Sequence, residues 1–440
     1  MPRSLVEKVR LAGVVGAGGA GFPTHVKLAS RVDTYIVNGV ECEPLLHKDK
    51  ELLRLQASRL VEGLRLAMDS TGASRGIIAV KAKAKDAICA LEPHVMGAIE
   101  LLRMENYYPA GDEVQVVWEA TGRLIPPAGL PLAVGCAVSN VESLLNVVAA
   151  AHGQPVLTTA LTVAGAVARP LSCEVPLGVS VREVIALAGG ATVADPAFID
   201  GGPMMGPART DLDQPVTKTT GGLVVLPRDH RLVLRKLASE EVNVRIARAA
   251  CDQCTQCTDL CPRYLLGYGV EPHRVMRAVG FAGDRAEPWD RHGLLCCECG
   301  ACEYYICPEG LTPKSMCVRA KQHFAARGLR PEPLRGLARP HPLREARKIP
   351  VPRLLQRLGL TAWDVHAPWT PVVMEPAWVR LLLKQHVGAP AQPVVGEGQV
   401  VDRGEVVAQV PEGKLGVPVH ASIAGRVARI DATSIWLQRN

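Results

Sequence analysis

Aromatic residues are scarce in this chain: six Trp, seven Tyr and four Phe make up 4 % of 440 residues. The formal net charge is only +7. Together these exclude the broad basic face, interleaved with aromatics, that nucleic-acid binding requires. No run of about eighteen residues is free of charged and strongly polar side chains, so no transmembrane segment is expected. The first residues, Met1-Pro2-Arg3-Ser4-Leu5-Val6-Glu7, lack the apolar core and small-residue cleavage site of a secretory signal. The expectation is a cytoplasmic protein. Apolar residues at 48 % and charged residues at 21 % also exclude a disordered chain, and the length predicts several domains.

The charge excess is local. Residues 319–348 hold nine Arg or Lys against two acids, which accounts for all of it. The expectation is that this run folds back along the protein, with some arginines near the cluster domain's acids or the domain interface and the rest free to steer an acidic partner, so that neutralising Arg335, Arg339, Arg344 and Arg347 together would mimic high salt; a solvated linker is the alternative.

What the chain does have is cysteine. Of its 14, ten lie between Cys251 and Cys317. Without a secretory signal, that density points to metal rather than disulfides. Cys251-x2-Cys254-x2-Cys257-x3-Cys261-Pro262 matches the bacterial ferredoxin run, in which soft thiolates hold iron–sulfur clusters and the last Cys reaches the other cluster. A second run, Cys296-x2-Cys299-x2-Cys302-x4-Cys307-Pro308, has one extra residue before its last Cys. The assignment is crossed: Cys251, Cys254, Cys257 and Cys307 on one [4Fe–4S] cluster, and Cys296, Cys299, Cys302 and Cys261 on the other. A pair of zinc knuckles is the competing reading, disfavoured by two complete runs that each end in Cys-Pro. Cys297 breaks the spacing. Cys42, Cys89, Cys136, Cys173 and Cys317 read as buried small hydrophobes.

Upstream, a helix over 5–15 leads into Gly16-x-Gly18-x-x-Gly21. Beyond it, strand-like runs (35–37, 76–80, 114–117) alternate with helical patterns (51–68, 85–103), as in an α/β layer fold. Residues 155–227 read as a small strand-rich module with one helix over 180–188. Helical periodicity returns over 235–250. Pro331, Pro333, Pro340 and Pro342 mark a linker or irregular wrap, and glycine-punctuated β-type runs close the chain. The glycine loop fits a dinucleotide fingerprint, with Glu41 twenty residues on. The preceding residues look helical, however, and Pro23 follows at once, so a tight packing turn is the alternative. Consecutive glycines let amides approach a phosphate, a helix beginning near Thr24 would point its positive end there, and Lys27 could add a charge-assisted bond.

Gly16-Ala17-Gly18-Gly19-Ala20-Gly21-Phe22-Pro23-Thr24-His25-Val26-Lys27, then Asn38-Gly39-Val40-Glu41-Cys42-Glu43-Pro44, then Tyr108-Pro109-Ala110-Gly111-Asp112-Glu113, then Ser139-Asn140-Val141-Glu142 occur in that order. This resembles the FMN- and NADH-binding subunit of respiratory complex I and its relatives, the Rnf C subunit and the cobalamin reductase of propanediol-utilising microcompartments. The Rnf subunit is expected to carry its β-sandwich module before the flavin loop. Here the matching segment, 383–422, lies at the C-terminus, which resembles the cobalamin reductase, as does Tyr264-Leu265-Leu266-Gly267.

The resemblance implies an α/β FMN/NADH-binding domain (1–154), a β-grasp module of the SLBB type (155–228), and a helical domain with two [4Fe–4S] clusters (229–327). A Pro/Arg-rich linker (328–375) and a C-terminal all-β barrel-sandwich hybrid (376–440) would follow. Gly16, Gly18, Gly19 and Lys27 would hold the FMN phosphate. Asn38, Glu41, Tyr108, Gly111, Ser139 and Asn140 would line the ribityl chain and ring. Phe22, Glu43 and Glu113 would face the nicotinamide nucleotide, with Glu113 the candidate catalytic side chain. Two departures stand out: complex I has an arginine at Ala17 and an aromatic at Ser30, so one wall of the adenine clamp is missing. Electrons would pass from NADH to cobalamin or to an accepting protein; a corrinoid adenosyltransferase or a microcompartment shell protein is an implied partner. An Rnf-like electron-input subunit is the alternative. A third reading comes from Lys414, eleventh from Gly404 and flanked by Glu412-Gly413 and Leu415 rather than by the methionines of a biotin acceptor: a carrier module with a modified lysine.

Overall fold

Four short runs rich in apolar residues form the central sheet. The computed structural model describes residues 3–281, 290–329 and 339–439. Strands β1 (Thr34–Gly39), β2 (Arg75–Lys81), β3 (Ile99–Met104) and β4 (Cys136–Asn140) lie in the order β3-β2-β1-β4, all parallel. Alternate side chains feed opposite cores. Tyr35, Val37, Ile78 and Val80 pack against the helices Ala57–Thr71 and Val141–Ala151. Ile36, Ile77, Ala79 and Val138 pack on the other face against the helix Glu113–Thr121, together with Leu266 and Tyr268 from beyond the first cysteine run.

Two sequence expectations are corrected here. Residues 114–117, read as a strand, open that helix; Val114, Val116 and Val117 are buried by it, and this packing overrides their β preference. The pattern over 85–103 is a helix, Lys85–Leu91, followed by β3.

The second module is a five-stranded mixed sheet whose single helix, Val181–Leu187, starts at a Ser180/Glu183 capping box. Around the cysteines, the helices Glu240–Ala250, Pro272–Phe281 and Pro313–Ala326 pack together. The C-terminus forms a four-stranded and a three-stranded antiparallel sheet.

The basic run does fold back where it is described; Arg335, with Pro331 and Pro333, lies outside the described residues. Arg344 is 6 % exposed and bonds Gln115 and Glu119, each at 2.7 Å, while Lys348 pairs with Glu105 at 2.8 Å. Ile349–Pro350 then pairs with Tyr107–Tyr108 of the flavin motif. Within the stretch expected as a linker, Val351–Leu358 is a helix, because Val351, Leu354, Leu355 and Leu358 form one buried stripe.

Candidate flavin and iron–sulfur site

Ligands of open α/β sheets bind beyond the carboxyl ends of the strands, where the strand order reverses. In this sheet that place lies between β1 and β4, and Asn38, Ser139 and Asn140 sit there. The glycine loop closes over it. Gly16 N donates to Phe22 O at 2.9 Å, Gly21 N to Gly16 O at 3.1 Å, and Ala17 N to Ser143 Oγ at 2.9 Å. Gly18 lies against the Asn140 side chain, where an added Cβ would stand 3.4 Å away. Gly19 has φ +99° and open space around it, which only glycine tolerates well.

Lys27, on the short helix Thr24–Leu28, donates to Val138 O at 2.6 Å and pairs with Glu113 at 3.4 Å; its ammonium is 6.0 Å from the Phe22 ring. Asn38 Nδ2 donates to Gly111 O at 2.9 Å. Ser139 Oγ bonds the Tyr35 hydroxyl at 2.8 Å. Asn140 caps the helix Val141–Ala151 through Glu142 N and donates to Asp49 at 2.7 Å. Glu41 accepts from Asp49 N at 3.1 Å; its other oxygen is buried without a partner, and burial followed by the Asp49 charge pushes its carboxyl up to about 7. An orphaned buried oxygen linked through Asp49 and Asn140 to the glycine loop fits a bound polar molecule, as FMN is. Beneath these residues Lys48, buried, bridges Asp49 and Glu142 at 2.9 Å each.

Two of the expected site residues also bond neighbouring modules. Glu43 accepts from Met204 N at 2.8 Å and Met205 N at 3.0 Å in the β-grasp module, and it lies against the Tyr108 hydroxyl. Tyr108, 1 % exposed, donates to Cys299 O at 2.5 Å, so this flavin-motif residue bonds a cysteine loop directly.

The two cysteine runs share a backbone path. Gln253 and Thr255 in the first have φ 60° and 65°; Glu298 and Gly300 in the second have 60° and 75°. Left-handed conformation at non-glycine residues costs about 1 kcal/mol or more, and here it recurs at equivalent positions around the second Cys of each run. The extra residue of the second run is taken up by a π turn, Cys302–Ile306, with Cys307 N bonding Cys302 O at 3.1 Å.

Burial, then the Cys307, Cys251 and Cys254 charges, push the Cys257 thiol up to about 12, so these four sulfurs are neighbours. Cys302 is raised well above the ordinary thiol value by burial and then by Cys296 and Cys261. Cys261 opens the helix Pro262–Leu265, whose Arg263 and Tyr264 amides point at its sulfur. Glu298 N donates to Cys296 Sγ at 3.3 Å, Gln253 Nε2 to Cys251 Sγ at 3.2 Å, and Leu311 N to Cys307 Sγ at 3.4 Å. Crowded sulfurs that accept N–H bonds fit an iron–sulfur core, which takes thiolates and is tuned by such bonds. Among the described residues no three His, Cys, Asp or Glu converge on a single-ion site; a cubane spreads its four thiolates more widely than one ion does. Cys317, read from sequence as a lone buried thiol, is a free thiol beside Cys296 and is raised well above the ordinary thiol value, first by Cys296 and then by burial. Lys414 stands exposed in the turn before the strand Val419–His420.

Four family models match the chain: the Nuo51 FMN-binding domain over 9–149, the SLBB domain over 161–208, the 4Fe-4S dicluster domain over 250–312 and the RnfC barrel sandwich hybrid domain over 370–439. Cobalamin reductase PduS of Citrobacter freundii is 49 % identical over 99 % of this chain and 97 % of its own length. The chain belongs to the PduS cobalamin reductase family. The Salmonella typhimurium member is 48 % identical over 98 % of this chain and 96 % of its own length. A component of the Na(+)-translocating ferredoxin:NAD(+) oxidoreductase complex of Acetobacterium woodii is 36 % identical over 60 % of this chain and 59 % of its own. The fold class read from sequence and the expectation of FMN and [4Fe–4S] cofactors therefore hold. So does the C-terminal position of the barrel-sandwich hybrid. Among the described residues no helix is long and apolar enough to cross a membrane.

Proposed function

We propose that the protein is an NADH-dependent oxidoreductase that reduces cobalamin. Bound FMN would take a hydride from NADH and release its two electrons singly through two [4Fe–4S] clusters to oxidised cobalamin, which is what joining a flavin to such clusters achieves. The observation that carries the reading is the Tyr108–Cys299 bond, which ties the flavin motif to the second cysteine run. The names of the full-length relatives supply the acceptor.

In this reading Gly16, Gly18, Gly19 and Lys27 cradle the flavin phosphate. Asn38, Glu41, Gly111, Ser139 and Asn140 line its ribityl chain and ring, and Tyr108 spans from the ring to the cysteine loop. Phe22, Glu43 and Glu113 face NADH, and Glu113 holds Lys27 in place from the open side. Cys251, Cys254, Cys257 and Cys307 hold one cluster; Cys261, Cys296, Cys299 and Cys302 hold the other. The domains run 1–154, 155–228, 229–327 and 376–440, with 328–375 as the connection. A corrinoid adenosyltransferase or a shell protein is the proposed partner, inside a cytoplasmic microcompartment.

Anaerobic reconstitution with FMN, iron and sulfide, followed by flavin and iron analysis, tests the reading. One flavin and two four-iron clusters per chain are expected. Zinc at the cysteines, or a single cluster, would overturn it.

A further inference from the structure

Three side-chain bonds from the flavin motif to the cysteine block end on one ligand set. Tyr108 donates to Cys299 O, and Gln115 Nε2 donates to Pro262 O at 3.2 Å, next to Cys261. The third link is ionic. Arg263, two residues after Cys261, donates to Asp112 Oδ1 at 2.8 Å, with side chains only 18 % and 14 % exposed. The guanidinium lies 5.7 Å from the Tyr268 ring and reaches the Cys297 thiol. Arg263 Nε and Asp112 Oδ2 are buried with no partner. The pair is thus held for its charge and position at some cost in unsatisfied polar atoms. Cys254 of the other set, by contrast, is exposed.

We infer that Arg263 is a positioning residue that locks the loop of Cys261 to the flavin motif and raises the reduction potential of the cluster held by Cys261, Cys296, Cys299 and Cys302. This rests on the ligand sets of the proposed function. Reduction adds one electron to that cluster and neither forms nor breaks a bond. The added negative charge is favoured by a largely buried guanidinium that reaches the Cys297 thiol, next in sequence to Cys296, where screening by water is weak. Asp112 opposes part of that field and fixes the direction in which Arg263 points. The two side chains therefore predict shifts of opposite sign.

The test is an EPR-monitored redox titration of the reconstituted full chain. Arg263→Gln should lower the reduction equilibrium of one cluster at least tenfold, about 59 mV for a one-electron couple, and leave the other unchanged. Arg263→Lys should restore most of the shift. Asp112→Asn should move the same signal upward, and it keeps the test decisive if Arg263→Gln does not take up iron. Cys254→Ser and Cys299→Ser identify which signal belongs to which set. Unmoved potentials in the Arg263 and Asp112 variants, or a shift confined to the signal lost in Cys254→Ser, would overturn the inference while the ligand sets stood. A wild-type chain that binds no iron would instead overturn the ligand reading, and this inference with it.

Discussion

Lys48→Met puts the flavin crevice under the sharpest strain. The Lys48 ammonium, on a residue 3 % exposed, lies 2.9 Å from both Asp49 and Glu142. Asp49 orients Asn140 at 2.7 Å, and Glu142 accepts from Ala160 N at 2.9 Å, which ties the end of β4 to the β-grasp module. Methionine keeps most of the stem but leaves two buried carboxylates sharing no cation. Removing one side of a buried ion pair costs about 3–5 kcal/mol, and two orphaned acids put the expectation at the upper end. Amide hydrogen exchange over residues 136–151 reads this locally, which suits a multidomain chain whose global unfolding is not two-state. Protection there should fall by about three to four orders of magnitude, at about 1.4 kcal/mol per decade. Adding Glu142→Gln removes one orphaned charge and should recover about half of the loss. FMN affinity should fall in parallel, because Asp49, which orients Asn140, loses the cation that holds it. Protection within about tenfold of wild type in Lys48→Met would refute the claim that this ion pair holds the crevice.

Three further outcomes are expected. Cys261→Ser should damage the cluster held by Cys296, Cys299 and Cys302 and spare that of Cys251, as read by Mössbauer or EPR spectroscopy; the reverse pattern would show uncrossed ligation. Lys27→Ala should weaken FMN binding at least tenfold by fluorescence titration, since a charge-assisted bond is worth about 1.5–3 kcal/mol; unchanged affinity would move the phosphate elsewhere. His47 and His420 are held down to about 3, chiefly by burial, and His47 Nδ1 accepts from Ala367 N at 2.7 Å, so the fold keeps them neutral. The unfolded chain protonates them below the ordinary 6.5. Stability is therefore full above that pH and falls with acidification, by about 1.36 kcal/mol per pH unit for each group, until about pH 3. The opening free energy read by amide hydrogen exchange across the strand Val419–His420 should show a pH slope one proton shallower in His420→Gln, and an unchanged slope would remove that histidine from the account.

The parts of this molecule legible in its sequence are those specified locally. Cysteine spacing within each run survives translation into structure because three residues of backbone determine where the next sulfur goes. The glycine loop and the capping box at Ser180 are read for the same reason. The π turn at Cys302–Ile306 was visible only as one surplus residue, since nothing local says how a turn will widen. Residues 114–117 misled because a run of valines prefers a strand until a sheet face claims it for a helix. The long-range bonds were beyond reach: Lys48 and Glu142 are 94 residues apart, Asp112 and Arg263 151, Tyr108 and Cys299 191. Glu43 and Tyr108 were found by their motifs, but what they bond is decided by modules far along the chain.

The most direct test of the central claim is an anaerobic titration of the reconstituted protein with NADH in the presence of cobalamin(III), followed by visible absorbance. Each NADH consumed should convert two cobalamin(III) to cobalamin(II), because a two-electron donor feeds a one-electron carrier chain, and the conversion should stop when Cys254 or Cys299 is replaced by serine. NADH oxidation that leaves cobalamin(III) intact, or cobalamin reduction that survives both replacements, would contradict it.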